Sequence, residues 1–198
     1  MRSRRSRCTS DQSEIRKLTD KDQFSIALGA PAVKEHVFYF WCHGKGGGDK
    51  PPLNIAPFEL RLSDDRPITP SDIAAFMGEQ EFVHRPIVFL NLCQGGQATS
   101  VFYRGFTDVF LNKKASVVIG PYADIPIIFA GKFARGFFDR FLQPRLPASD
   151  FPQVGRILLD LRREFFDKHS NPLGLLYSLY WGADVFLREP LKRKTAAA

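Results

Sequence analysis

Three stretches of the chain are apolar at almost every position, and they restrict its fold more than any other feature of the sequence. They cover residues 37–42, 87–92 and 116–120, and a shorter run of the same kind lies at 184–187. Such runs are typical of parallel β-strands whose two faces are both buried. We therefore expect these segments to be strands of a sheet that is covered on both sides.

Helical patterns lie between these runs. Thr69, Pro70 and Asp72 form the start signal of a short helix, which Gly78 ends. Longer amphipathic patterns follow, and two of them repeat phenylalanine at every fourth position of one face. They span 99–113, 126–142 and 152–168. These helices would supply the cover that the strands need.

The segment 43–69 is rich in glycine and proline and is interpreted as a long loop with one short hairpin at 58–62. Strands that alternate with helices predict an α/β fold, a three-layer sandwich with a mostly parallel central sheet flanked by helices. The domain is expected to span 21–188, between a polar, basic and flexible tail at 1–20 and a basic tail at 189–198.

Basic residues are concentrated at the two ends of the chain. The formal net charge is +7, from 28 basic and 21 acidic residues. Residues 1–8 contain four arginines and no acid, and residues 188–198 contain four basic residues and one acid. The fold itself thus lacks the basic stripe that nucleic-acid-binding domains show, and direct binding of nucleic acid is not expected. A nucleic-acid module that uses the two tails is the weaker alternative.

Cysteine content and hydropathy bear on the compartment. The chain contains three cysteines, an odd number and too few for a disulfide framework, which fits a reducing environment. The amino-terminal segment lacks the apolar stretch of a secretory signal, and no apolar run approaches the ~20 residues of a membrane span. We therefore expect a cytoplasmic protein without a membrane partner.

The first two apolar runs end in residues that can carry chemistry. His43 directly follows the first run, with Gly44 behind it, and Cys93 follows the second run shortly before two glycines. Ligands of open parallel sheets bind beyond the carboxyl ends of the strands. If the two strands are neighbours, an imidazole and a thiol face one crevice, as a base beside a nucleophile. The backbone N–H groups of Gly44 and Cys93 are then the candidates for an oxyanion hole.

Each of these residues also has a structural interpretation, as a small buried hydrophobe for Cys93 and a capping residue for His43.

Other chemistries do not fit the spacing. From Gly44 to Lys50, the second glycine of the phosphate-binding loop pattern is missing from its position, and Pro51 replaces the required Ser/Thr. Cys42, His43 and Cys93 have no fourth zinc ligand at the usual spacing. Cys42 alternates with His43 along the strand, so we expect it on the opposite face. The other histidines, His36, His84 and His169, are interpreted as structural, and no metal or cofactor is expected.

Further features stand in a fixed order around the two reactive residues. His43 lies 50 residues before Cys93. The segment Leu90–Gly96 has the pattern Leu-x-x-Cys-x-x-Gly, and a strand pattern over Ala115–Gly120 precedes a turn that contains Asp124. In this order and spacing the chain resembles the CHAT domains, a family of cysteine proteases related to caspases and separases.

The resemblance, which covers about residues 33–188, implies a caspase-like fold and the cleavage of peptide bonds in a protein or peptide substrate. It implies that Cys93 is the nucleophile, that His43 is first the base and then the acid, and that Gly44 and Cys93 supply the oxyanion hole. The implied substrate contacts are Asp124 and Gln94.

An intracellular protease of this kind implies control by a partner protein or a sensor domain, in bacterial defence or another form of regulated proteolysis. We expect an inactive resting cleft whose mobile element is the loop 44–69. The main alternative is a catalytically silent CHAT-like interaction module. The chain departs from the family at its start, because only 36 residues precede Val37, where CHAT domains commonly carry additional strands.

Overall fold

We describe residues 15–45, 59–94, 100–142 and 153–180 of a computed structural model, without the side chains of 43–45, 93–94 and 100–104. The strands are β1 (Val37–Lys45), β2 (Glu59–Arg61), β3 (Pro67–Ile68), β4 (Ile87–Gln94), β5 (Val117–Pro121) and β6 (Tyr177–Tyr180). The helices are α1 (Lys21–Leu28), α2 (Pro70–Met77), α3 (Ser100–Asn112), α4 (Ile127–Phe141) and α5 (Val154–His169), and a 3₁₀ helix at Pro172–Leu176 precedes β6.

The sheet has three parallel strands at its centre. Its strand order is β3-β2-β1-β4-β5-β6, in which β1, β4 and β5 are parallel. Strand β2 is antiparallel to both β1 and β3, and β6 is antiparallel to β5. Each central strand coincides with one of the apolar runs, because a strand covered on both faces needs apolar side chains at successive positions. The three predicted interior strands are confirmed.

Two hydrophobic cores lie on opposite faces of this sheet. One packs α1, α2 and α3 against alternate residues of the central strands, among them Phe40 and Leu90. The other packs α4 and α5 against the intervening residues, among them Phe89 and Ile119. The predicted α/β fold is therefore confirmed, with helices on both sides of the sheet.

The helix signals in the sequence correspond to observed contacts. In α2, the Thr69 hydroxyl accepts a hydrogen bond from the Asp72 N–H, and the Asp72 carboxylate accepts one from the Thr69 N–H, which completes a capping box. Helices α4 and α5 bury the faces that the apolar patterns predict. The buried phenylalanines of α4 are Phe129, Phe133, Phe137 and Phe141.

Parts of the sheet and its cover differ from the sequence prediction. The segment 43–69, interpreted as a long loop with a hairpin at 58–62, contains more strand than predicted. Strand β1 continues to Lys45, and the hairpin pairs β2, which lies within 58–62, with β3 beyond it and extends the sheet beside β1. Helix α1 and strand β6 have no counterpart in the prediction. The predicted strand at 184–187 and the segment 46–58 lie outside the described residues.

Candidate functional site

The ends of β1 and β4 bring the two candidate catalytic positions together. The parallel register pairs His43 with Cys93, so these residues are direct neighbours across the two strands. The backbones of neighbouring strands lie about 4.8 Å apart, and paired positions belong to the same face of the sheet. The predicted site requires these two strands to be neighbours, and β1 and β4 are adjacent in the sheet.

The other predicted positions of the site adjoin this pair. Gly44 is paired with Gln94 of β4 on one side and with Leu60 of β2 on the other. Gln94 is the last residue of β4. His43, Gly44, Cys93 and Gln94 thus form a two-by-two block of positions at the carboxyl ends of two parallel strands.

Alternation along β1 and β4 shows which face carries positions 43 and 93. Side chains alternate between the two faces of a strand. Cys42 and Leu92 are buried in the core that contains α1, α2 and α3, as predicted for Cys42, so positions 43 and 93 belong to the face that α4 and α5 cover. The preceding β1 residues on that face are Tyr39 and Trp41, which are 43% and 45% exposed.

A buried polar network stands directly behind the pair. Asn91, two residues before Cys93 in β4, is completely buried. Its amide nitrogen donates to the Tyr39 hydroxyl at 3.1 Å and to the Ala130 carbonyl at 3.0 Å, and its oxygen accepts a bond from the Tyr177 hydroxyl at 2.6 Å. The network joins β4 to β1, β6 and α4, and it fixes the strand that carries Cys93 against that helix.

Helix α4 begins at the carboxyl edge of the sheet and runs away from it. The Ala130 carbonyl meets Asn91, whereas Phe138, two turns later, contacts the rings of Tyr39 and Phe89, which lie earlier in their strands. The amino end of α4 is therefore the end nearest to positions 43 and 93. The positive end of the helix dipole points toward that edge, where it favours negative charge.

An open groove of about 420 Å³ lies between β1 and the first turns of α4. Gly131 lets the Trp41 ring approach the helix closely, because a Cβ at this position would lie 3.3 Å from Trp41 Cη2. Ile127 and Ile128 are 50% and 73% exposed, so the groove offers apolar surface to a ligand. The lining residues are Trp41, Ile127, Ile128, Gly131, Lys132 and Arg135.

A charged cluster lies on the other side of position 43. Arg61 of β2 is the register partner of His43. Its guanidinium donates to Glu59 at 2.9 Å and lies 3.1 Å from a carboxylate oxygen of Asp65. The hydrogen bond to Glu59 and then that to Asp65 raise the pKa of Arg61 above its usual value. The cation is thus held beside position 43 and balanced by carboxylates.

Asp124, the other predicted substrate contact, is exposed in the loop between β5 and α4. It is not the cap of α4, because the N-cap residue is Pro126 and no side chain caps this helix. Since β5 ends and α4 begins at the carboxyl edge of the sheet, Asp124 lies at the same edge as positions 43 and 93.

Several residues near this edge have no counterpart in the sequence prediction. Asn91 is the polar member of the apolar run 87–92, which is a signal of a buried, hydrogen-bonded side chain. Its partner Tyr177, 86 residues away, carries no such signal. Ile127 and Ile128 do not belong to the phenylalanine repeat that marks the buried face of α4. Apolar residues outside that repeat are a sequence signal of exposed apolar surface.

The histidines interpreted as structural lie away from the candidate site. His36 and His84 stack on each other with their ring centres 4.4 Å apart, at the amino ends of β1 and β4. The ring of His169 contacts Phe165 within α5, at 5.8 Å between ring centres.

Comparison with known proteins gives no family for this chain. A scan against protein-family models found no match, and no curated protein matches it. Within the described ranges, no helix combines the length and apolar character that crossing a membrane requires. No group of three or more His, Cys, Asp or Glu residues in the same ranges is arranged to hold a metal ion. A function therefore has to be inferred from the geometry of the sheet edge.

Proposed function

We propose that the protein is a cysteine endopeptidase of the CHAT type, with a caspase-like fold, in which Cys93 is the nucleophile and His43 the general base. The register of β1 and β4 carries this proposal, because it pairs the two positions at the carboxyl ends of neighbouring parallel strands. That edge is where open parallel sheets bind ligands. The substrate would be a protein or peptide, and a partner or sensor would control the activity in the cytoplasm.

In the proposed reaction, His43 takes the proton of the Cys93 thiol as the sulfur attacks the carbonyl carbon of the scissile peptide bond. The C–N bond then breaks, and the imidazolium returns its proton to the leaving amine, which leaves a thioester on the enzyme. Water then gives a proton to His43 and attacks the thioester, the C–S bond breaks, and the imidazolium returns the proton to the Cys93 sulfur as the acid product leaves. The N–H groups of Gly44 and Cys93 would stabilise the oxyanion of both steps.

The surroundings of the pair support this assignment. The buried Asn91 network gives β4 a fixed position, and fixed positions are what a nucleophile and its base require. Arg61, the register partner of His43 on β2, is held by two carboxylates. Asp124 lies on the same edge and remains the proposed contact of a substrate side chain, together with Gln94.

A peptidyl chloromethyl ketone tests the proposal, since a cysteine that a neighbouring base activates displaces its chloride and becomes alkylated. Because the resting cleft is expected to be inactive toward substrates while the thiol and its base are already neighbours, we expect the wild-type protein to be labelled slowly. Cys93→Ala should be unlabelled, and His43→Ala should react roughly 10²-fold more slowly than the wild type. Cys42→Ala is the matched control and should react like the wild type, because Cys42 is buried in the opposite core.

Labelling of Cys93→Ala at the wild-type rate would overturn the assignment of the nucleophile. A folded wild-type protein that is not labelled would instead support the catalytically silent interaction module. Circular dichroism of each variant distinguishes loss of reactivity from loss of fold.

A further inference from the structure

We propose that the groove between Trp41 and α4 binds an apolar side chain of the substrate polypeptide, and that Lys132 and Arg135 favour an acidic residue next to it. This inference deepens the proposed function and rests on it for the identity of the occupant as a substrate. The binding that it describes does not require catalysis, so the two proposals can fail separately.

The groove begins two residues along β1 from position 43, one member of the candidate catalytic pair. Trp41 is the residue before position 43 on the same face of β1, which corresponds to about 6.6 Å along an extended strand. Asn91, the register partner of Trp41, is bonded to the Ala130 carbonyl of α4. Ile127, the first residue of α4, lies about 4.5 Å from Ala130 along the helix axis, on the side of the carboxyl edge of the sheet. A chain that crosses this edge therefore meets the apolar part of the groove directly beside the pair.

The shape and lining of the groove fit an apolar side chain. The groove is open and has a volume of about 420 Å³, so it can receive a side chain from a peptide that lies along the surface without enclosing that side chain completely. An aromatic ring and two isoleucines line it, and the isoleucines remain half exposed or more. Covering such a surface with an apolar ligand side chain removes apolar area from water on both partners.

The basic residues at the margin of the groove favour an acidic residue in the bound peptide, close to the apolar residue that enters the groove. Lys132 and Arg135 are both exposed. Arg135 lies 3.6 Å from Asp139 of the next turn, and this ion pair is exposed, so water screens it strongly. In the described part of the chain, Lys132 forms no ion pair. The margin is therefore positive and complements an acidic peptide.

Helix geometry gives the spacing between the two preferences. The rise of 1.5 Å per residue places Lys132 about 6 Å and Arg135 about 10 Å beyond Ile128 along α4. An extended peptide advances about 3.3 Å per residue. The acidic residue should therefore lie about two to three positions from the apolar one. Since α4 runs away from the edge, the apolar residue is the one nearer to the scissile bond.

Binding of short peptides to the inactive Cys93→Ala protein tests this proposal. Three fluorescein-labelled peptides of equal length are compared by fluorescence polarisation: one with leucine and glutamate two positions apart, one with leucine and lysine, and one with serine and glutamate. We expect the first to bind at least about 10-fold more tightly than either of the others at low salt. The preference for glutamate over lysine should shrink in 0.5 M NaCl, because salt screens exposed charges.

Substitutions in the groove separate its two parts. Ile128→Glu should weaken the leucine–glutamate peptide at least about 10-fold, and the double change Lys132→Glu with Arg135→Glu should reverse the preference between glutamate and lysine. Ile26→Glu, at an isoleucine that is 68% exposed on the opposite side of the sheet, is the matched control and should change nothing. In a Trp181→Phe background, Trp41 is the remaining one of the two tryptophans, and its emission should shift on binding.

The outcomes distinguish the groove from the catalytic proposal. Equal affinities for the three peptides, or a preference that survives both groove variants, would overturn the groove. Selective binding to the Cys93→Ala protein without any reactivity of the wild-type thiol would support the groove as a peptide site and overturn the protease. Reactivity of Cys93 together with no selectivity would do the reverse.

Discussion

The hydroxyl of Tyr177 connects the last described strand to the candidate site. The side chain is completely buried, its hydroxyl donates to Asn91 at 2.6 Å, and its ring stacks on Phe133 with 4.0 Å between ring centres. Tyr177→Phe keeps the ring and leaves the Asn91 oxygen without this donor. We expect the free energy of unfolding in urea to fall by about 1–2 kcal/mol. Tyr122→Phe, at a 44% exposed tyrosine, is the control and should change it by less than about 0.5 kcal/mol.

Thr107 in α3 also has a buried hydroxyl group, but this hydroxyl differs from that of Tyr177 in its hydrogen bonding. Its side chain is 3% exposed, and in the part of the chain that the structure describes its hydroxyl has no hydrogen-bond partner. Thr107→Val has nearly the same shape and removes the polar atom, so we expect stability to rise by about 0.5–1 kcal/mol. A decrease of more than about 1 kcal/mol in the same urea experiment would contradict this expectation.

Single residues show how far the sequence predicts the site. His43 and Cys93 could be proposed as candidates because each follows a long apolar run, and a polar residue at the end of a buried strand is conspicuous. The structure pairs these two positions across β1 and β4. The partners of Asn91 could not be found, because Tyr39, Ala130 and Tyr177 come together only through the strand order and the placement of α4. The groove beside Trp41 depends on the same placement.

The start of α2 carries a prediction at the scale of one element. Burial raises the pKa of the Asp72 carboxyl, but hydrogen bonds from Thr69 and the contact with Lys21 outweigh this effect and lower the pKa overall. A carboxyl group whose pKa is lower in the folded state stabilises the fold above its unfolded pKa of about 3.9. That stabilisation is lost as the pH falls through the folded pKa.

We therefore expect Asp72→Asn to lower the free energy of unfolding by about 1 kcal/mol at pH 7. The difference between wild type and variant should narrow below about pH 4. Urea titrations at pH 7 and pH 3 measure both values. Asp167→Asn, at an exposed position of α5, is the control and should cost less than about 0.5 kcal/mol at either pH. An equal Asp72→Asn difference at both pH values would argue against the role of the carboxylate.

Elements were predictable where their signal is local. The capping box of α2 and the apolar faces of α4 and α5 lie within a few turns of sequence, and these helices are present as predicted. The four-residue strand β6 pairs with β5, which is distant in the sequence, and β3 has only two residues, so the predicted hairpin at 58–62 included β2 but not β3. Helix α1 was not predicted although its start has a local signal. Asp20 is its N-cap residue, and the Asp20 carboxylate accepts a hydrogen bond from the N–H of Gln23.

At the scale of the whole molecule, the middle of the sheet is the most enclosed part of the described residues. Strand β4 is bonded to a parallel neighbour on each side and buried by helices on both faces. We expect the amides of 87–92 to exchange most slowly in hydrogen–deuterium exchange, and those of β3 and β6 at least about 10-fold faster. Exchange in β3 as slow as in β4 would show that the hairpin is part of the most stable unit.

Strand β3, the last strand on its side of the described sheet, also limits how this molecule can join others. It contains two residues, and one of them is a proline, which has no N–H to donate. An incoming chain that tried to continue the hydrogen-bond ladder past this edge would find at most one backbone donor there. Lateral growth of the sheet into fibres or swapped assemblies is therefore opposed on this side by the backbone itself, whatever the surrounding side chains are.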